Sequence, residues 1–235
     1  VQSLVWMVVL AGLVISYSPV ALAQESESQE VKADSGGDMM VLELELPKPM
    51  FVGTPKNIRS ANLEKPTGKP RPDFMVPEGV TNVAYEKPVT SSDMEPIIGE
   101  LEMVTDGDKE GADGSYVELG PMQQWVQIDL EEVYKLYAMV VWHYHQQGRV
   151  YHDVVVQVAD DPDFITNVRT IYNNDHDNSS GLGVGPDKEY IETYEGRLMD
   201  AEGVVARYVR LYSKGNTSSD LNHYVEVEVY GKPVE

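Results

Sequence analysis

The chain has 235 residues, with 18 Lys and Arg against 39 Asp and Glu, a formal net charge of -21 and no cysteine. That length holds one domain with extensions or two small domains, not a large multidomain enzyme, and the charge excludes a nucleic-acid or anionic-membrane binder, whose affinity comes from Lys and Arg. Without cysteine there are no disulfides, thiolate metal sites or cysteine nucleophiles, while 42% hydrophobic residues, 14 Tyr, 19 Gly and 14 Pro suit a packed core of strands and turns.

Residues 1–23 carry no charge. Leu4 to Ile15 read LVWMVVLAGLVI, and Ser16, Pro19 and the small-residue triplet Ala21-Leu22-Ala23 come next. An apolar run with an A-x-A cleavage site predicts a signal peptide over 1–23 and an exported protein, whether periplasmic, cell-surface or secreted. The competing reading is an uncleaved anchor, but Pro19 and the serines interrupt the run before it reaches a spanning length. Membrane insertion is not expected after cleavage. The usual Lys or Arg ahead of such a run is missing, and the chain opens on Val1.

From Gln24 to Gly37 the sequence QESESQEVKADSGG is too polar to bury anything and is expected to be a disordered tether. Over 38–79, Pro47, Pro49, Pro55, Pro66, Pro70, Pro72 and Pro77 stand among Met39, Met40, Phe51 and Phe74, which predicts an extended arm. Residues 24–79 are thus an acidic and Pro-rich linker or arm, whose apolar residues suit partial docking on the C-terminal domain. Within it MVLELEL (40–46) alternates like one short strand.

Residues 80–235 read as one all-β domain, an antiparallel sandwich or jelly roll, because short alternating runs are separated by turn clusters with no amphipathic helix between them. WVQIDL (125–130) places Val126, Ile128 and Leu130 on one face, and LYAMVVWHY (136–144) is a nearly continuous buried run. DVVVQVA (153–159) sets Val154, Val156 and Val158 against Asp153, Val155 and Gln157. RYVRLY (207–212) and YVEVEVY (224–230) alternate likewise, the last with Val225, Val227 and Val229 opposite Glu226 and Glu228. No internal repeat is present.

NVAYEKPVTSS (82–92), VTDGD (104–108), WVQIDL, VVWHY (140–144), DVVVQVADDPDF (153–164), ARYVRLY (206–212) and HYVEVEVYG (223–231) occur in the order of F5/8 type C, or discoidin-like, domains. The domain resembles these galactose-binding-like sandwiches, which include many bacterial carbohydrate-binding modules. It lacks the terminal cysteine pair of many animal members and the exposed apolar spikes with which some bind membranes. The resemblance implies a binding module rather than an enzyme. Consistently, the sequence has no G-x-S-x-G, H-E-x-x-H, Walker or dinucleotide fingerprint.

Asp106-Gly107-Asp108-Lys109-Glu110-Gly111 puts oxygen ligands at alternate positions with glycine at the sixth, a loop that can curl around a hard cation. By spacing alone an acidic turn is an equal reading, and the twelfth position, Val117, excludes an EF-hand. The resemblance implies a structural calcium held by Asp106 and Glu226 through side chains, by Asp108 mainly through its carbonyl, and by Ser115. Sugar-site chemistry, a ring beside hydroxyl-reading donors and acceptors, recurs at Tyr144, His145, Gln147, Arg149 and Tyr151 and at the turn carrying Asn174 and His176. These residues can equally cap strand ends. A metal site on His143 and His145 would need both side chains of an i, i+2 pair to leave the core. Asn173 to Asn178 is a second acidic loop, read as a solvated turn. The expected function is an exported carbohydrate-binding module. The alternative is a structural or adhesion component that docks another surface protein without sugar.

Overall fold

The computed structural model describes residues 38–234 except 52, 54, 56, 57 and 113. The expected signal peptide (1–23) and tether (24–37) lie outside the described residues. Among the described residues eleven strands succeed one another: β1 (Met39–Val41), β2 (Met75–Pro77), β3 (Thr81–Asn82), β4 (Val89–Ser91), β5 (Val117–Pro121), β6 (Gln124–Trp142), β7 (Val155–Ala159), β8 (Arg169–Asn173), β9 (Arg197–Ser213), β10 (Leu221–Tyr224) and β11 (Glu226–Pro233). Among the described residues the only helix is a single 3-10 turn, Leu101–Val104, and no helix is long and apolar enough to cross a membrane.

The all-β sandwich is present, and two strands are longer than the alternation suggests. WVQIDL and LYAMVVWHY are the two halves of β6, joined through ladder irregularities at Asp129/Tyr134 and Leu136/Ala138 where Glu131 adopts a positive φ of 67°. Extra residues at such bulges bend a strand without ending it. β9 pairs antiparallel with β6 from Gln124↔Ser213 to Val141↔Arg197 and bends with it. The first half of β6 lies beside β4, with β7 and β8 beyond β9; its second half lies beside β11, with β3 beyond. Between the two layers sits the core, which includes Val126, Ile128, Leu130, Met139, Val141, Val156, Val158, Val209, Leu211, Val227 and Val229.

The run at 136–144 is buried on both faces, as consecutive apolar residues require. Met139 and Val141 face the core, whereas Ala138, Val140 and Trp142 face outward into a second apolar cluster with Val225 and Tyr230. That cluster is completed by Leu42 and Val76 from the Pro-rich arm and by Val80 just after it. Residues 38–79 are therefore docked rather than free. β1 pairs with β2 (Met40↔Val76), the Leu63 backbone bridges to Glu189, Ser60 Oγ donates to the Glu189 carboxylate, and Arg197 meets Glu64 at 2.9 Å. The same cover changes the reading of the last strand. Glu226 and Glu228 do not face water but are buried on the arm's side of β11, while Val225 packs with the second cluster instead of the core.

Candidate functional site

At one end of the sandwich β10 pairs with β5, and the loop 143–154 leaves β6 beside them. This loop is fixed from several sides. The Gln146 side chain donates to the Glu110 carbonyl (2.6 Å), Arg149 O accepts from Glu192 N–H (2.8 Å), and Val150 and His152 exchange backbone bonds with 214–217. Gly148 has no room for a side chain, since a Cβ there would lie 2.4 Å from Pro55 Cγ of the arm.

On this platform the Arg149 guanidinium lies 4.5 Å over the Tyr144 ring, and Tyr116 meets Tyr144 edge-on at 5.0 Å. Both tyrosines are half-buried, and Arg149 Nε is buried with no hydrogen-bond partner. Behind them runs a polar chain. Glu118 sits 2.9 Å from His223 Nε2, His223 Nδ1 is 3.0 Å from the Tyr151 hydroxyl, Tyr151 stacks on His143 at 4.4 Å, and His143 Nδ1 is 2.6 Å from Glu192. Burial, followed by Arg149 and His143, pushes His223 down to about 4. The neutral ring therefore donates through Nε2 to Glu118 and accepts the Tyr151 hydroxyl proton at Nδ1. Burial also raises Glu118, with Arg149 acting the other way.

A pH dependence arises from His223. Its pKa is about 6.5 in an unfolded chain and about 4 in the fold. Between those values the unfolded chain takes up a proton that the folded chain refuses, so stability is complete above the upper value and falls on acidification toward the lower one. Between pH 7 and pH 4.5 this group is expected to remove about 2 kcal/mol. Urea midpoints of wild type and His223→Gln at both pH values measure it; an equal pH dependence in the two proteins would discard the assignment.

Of the residues the sequence nominates for sugar contact, the structure brings Tyr144, Arg149 and Tyr151 together, with the Tyr151 ring buried as support rather than surface. His145 points the other way. It is fully buried, and its Nε2 lies 2.8 Å from the Lys109 carbonyl, because successive residues leaving β6 alternate in direction. Asn174 is buried and its Oδ1 accepts from Val154 N–H (2.7 Å), while His176 is half-buried on the same turn. Among the described residues neither makes a hydrogen bond, ion pair or ring contact with Tyr144, Arg149 or His223. Tyr116, Glu118 and His223 were not nominated from the sequence. Glu118 and His223 are cross-strand partners, a relation visible only once β5 and β10 are paired.

The loop from Asp106 to Gly111 folds as successive turns, with Asp108 N–H donating to Asp106 Oδ1 (2.8 Å) and Glu110 N–H to Asp108 Oδ1 (2.9 Å). A Cβ at Gly111, where φ is 58°, would press on Val225 at 3.2 Å. Glu226 closes against this loop. Its Oε2 accepts from Gly107 N–H (3.1 Å), its Oε1 is buried without a partner, and burial pushes its pKa up to about 9. An orphaned carboxyl oxygen of this kind, on a glutamate bonded to the Gly107 N–H between Asp106 and Asp108, fits a bound cation. Ser115 is half-buried, and its backbone N–H bonds Ala112 O (2.8 Å). Lys109 is engaged elsewhere, 2.6 Å from Glu228 and 5.5 Å over the Trp142 ring. The acidic turn after β8 converges with Asp153 instead. Asp153, Asp175 and Asp177 lie together, with Lys214 Nζ 3.5 Å from Asp153 as their internal cation.

The two-layer antiparallel sandwich is that of a galactose-binding-like jelly roll. Residues 103–211 match the family described as F5/F8 type C, NedA-like, galactose-binding domain, and over that stretch the sandwich is similar to it. No curated protein matches the chain. Among solved structures, it is similar to a family 89 glycoside hydrolase from Clostridium perfringens, with 19% identity and a TM-score of 0.48, over 65% of this chain and 15% of that one. It is also similar to a fucose binding module from Streptococcus pneumoniae (17% identity, TM-score 0.47, 65% of this chain and 99% of that one). A fucolectin from striped bass, Morone saxatilis, is a further neighbour (16%, 0.47, 69% and 51%). The chain thus spans only 15% of the length of the clostridial enzyme.

Proposed function

We propose that the protein is an exported, non-catalytic carbohydrate-binding module that holds its ligand on Tyr144 and Arg149 and carries a structural calcium. One observation carries the sugar reading: Arg149 Nε is a buried donor without an acceptor, beside a half-exposed ring on an immobilised loop. A buried unpaired donor costs about 1–3 kcal/mol, and a sugar hydroxyl supplies the missing acceptor while the pyranose covers ring edges of Tyr144 and Tyr116. Calcium is the reading of the Asp106 loop with Glu226, supported by the orphaned Oε1. Asp106 and Glu226 would ligate through carboxylates and Asp108 through its carbonyl; the ion would tie the loop to the start of β11 and hold Glu226 ionised.

Single-sugar binding on so open a platform is expected in the millimolar to tens-of-micromolar range, about 4–6 kcal/mol. Tyr144→Ala or Arg149→Ala should each cost about 1–2 kcal/mol and erase retention on a glycan array, with the melting temperature kept. Retention surviving both substitutions would place the sugar elsewhere. A wholly blank array would transfer the reading to an adhesion component that docks another surface protein. Export is tested separately: the mature protein is expected to begin at Gln24.

A further inference from the structure

The docked arm does more than cover the sheet. Between its residues 64–72 and the segment 190–198 runs a cleft of about 370 Å³, within the size range of small-molecule sites. Tyr144 and Arg149 do not line it, and its arm wall lies outside the stretch that matches the F5/8 family.

The charge of this cleft is reversed relative to the rest of the molecule. Its lining holds Lys69, Arg71 and Arg197 against Glu64 and Glu195, on a chain with 18 basic and 39 acidic residues. The two guanidinium groups are also under-used. Each carries five N–H donors, yet among the described residues Arg71 makes one hydrogen bond, to the Gly196 carbonyl at 3.3 Å, and Arg197 one, to Glu64 at 2.9 Å. Arg197 is clamped between rings, 5.3 Å from Tyr172 and 4.8 Å from Tyr190, and its Nε is buried without a partner. Burial, and then the neighbouring Glu192 carboxyl, raises the Tyr190 hydroxyl, on a residue only 5% exposed. Burial lowers Arg71, and the nearby Arg197 adds to that, against Glu195 and Tyr194. Two adjacent cations with spare planar donors suit a bidentate oxyanion, and an excess of one positive charge suits a monoanion such as a carboxylate better than a doubly charged phosphate.

We propose that the cleft between arm and sandwich is a second binding site, and that it takes a hexuronic acid residue, its carboxylate on Arg71 and Arg197 and its ring beside Tyr190 and Tyr194. The sugar half of this assignment rests on the carbohydrate-binding reading above; the carboxylate half rests on the cleft alone.

The test is an amide-shift titration of the isotope-labelled full chain with sodium D-glucuronate and, at matched ionic strength, with methyl β-D-glucopyranoside. Glucuronate is expected to move the amides of 66–72 and 190–198, with the neutral glucoside at least tenfold weaker. Arg71→Met, which keeps the aliphatic stem, should weaken glucuronate at least tenfold at an unchanged melting temperature, Arg71→Lys should restore part of it, and Tyr144→Ala should leave it intact. Equal binding of the neutral sugar, shifts outside the two walls, no binding at all, or unchanged affinity in Arg71→Met would overturn the proposal. A blank glycan array with an intact glucuronate titration would instead sink only the loop-end site, and the converse only the cleft.

Discussion

A chain starting at residue 80 is expected to be severely destabilised, although it contains every strand of the sandwich and the whole of the matched family stretch. Removing the arm strips Leu42 and Val76 from the second apolar cluster and exposes Val80, Ala138, Val140, Trp142, Val225 and Tyr230. At about 1.5–3 kcal/mol for each buried aliphatic side chain, the two lost residues alone account for roughly 3–6 kcal/mol, an upper estimate. A domain's whole stability is about 5–15 kcal/mol. The truncated protein should therefore melt on the order of 10–20 °C lower or associate through the bared face, which size-exclusion chromatography and a thermal melt both read. Val76→Ala in the full chain should cost about 2 kcal/mol. A truncated monomer as stable as the full chain would show that the arm is an accessory.

Chelation of calcium is expected to lower the melting temperature of the full chain by about 5–10 °C. A ligand bound only by the folded state adds RT ln(1 + [L]/Kd), about 2.7 kcal/mol at a hundredfold excess over Kd, and each kcal/mol is worth about 2–4 °C in a domain of this size. Asp106→Ala should lie near the chelated value and be insensitive to chelator, because it removes a carboxylate from the loop that Glu226 closes. Magnesium should substitute poorly, since it demands tight octahedral geometry that a loop of carboxylates and carbonyls supplies badly. Superimposable melts with and without chelator would remove the ion from the account.

The range of each interaction decides how legible it is in the sequence. Alternation is local, so Val126-x-Ile128-x-Leu130 and Val154-x-Val156-x-Val158 identify their strands and their core faces correctly. The continuous run at 136–144 announces burial on both sides, but nothing local says that the second cover comes from Leu42 and Val76, some 60 to 100 residues upstream. For the same reason the alternation sets Glu226 and Glu228 opposite the valines without showing that their face is covered as well. The bend of β9, with positive φ at Glu202 (51°) and Gly203 (73°), has no counterpart in the alternation of its neighbours. Tyr144 and Arg149 share one short loop and could be paired by eye. Tyr116, Glu118 and His223 reach the same place through the pairing of β5 with β10, and a linear sequence does not carry that register.

Trp142 gives the molecule a built-in optical reporter. Its fully buried indole has Lys109 Nζ 5.5 Å over the ring, donates from Nε1 to the Tyr194 carbonyl at 2.9 Å, and lies against Gly196, whose Cβ, were it present, would fall 2.6 Å from the ring. Lys109 belongs to the acidic loop, Tyr194 and Gly196 to the wall of the arm-side cleft, and the remaining ring surface to the cluster beneath Leu42 and Val76. With Trp6 and Trp125 replaced by Phe, the emission of this one chromophore would register ion loading, cleft occupancy and arm release, each by a different displacement of a neighbouring group. Three equilibria could then be followed in a cuvette without attaching a dye.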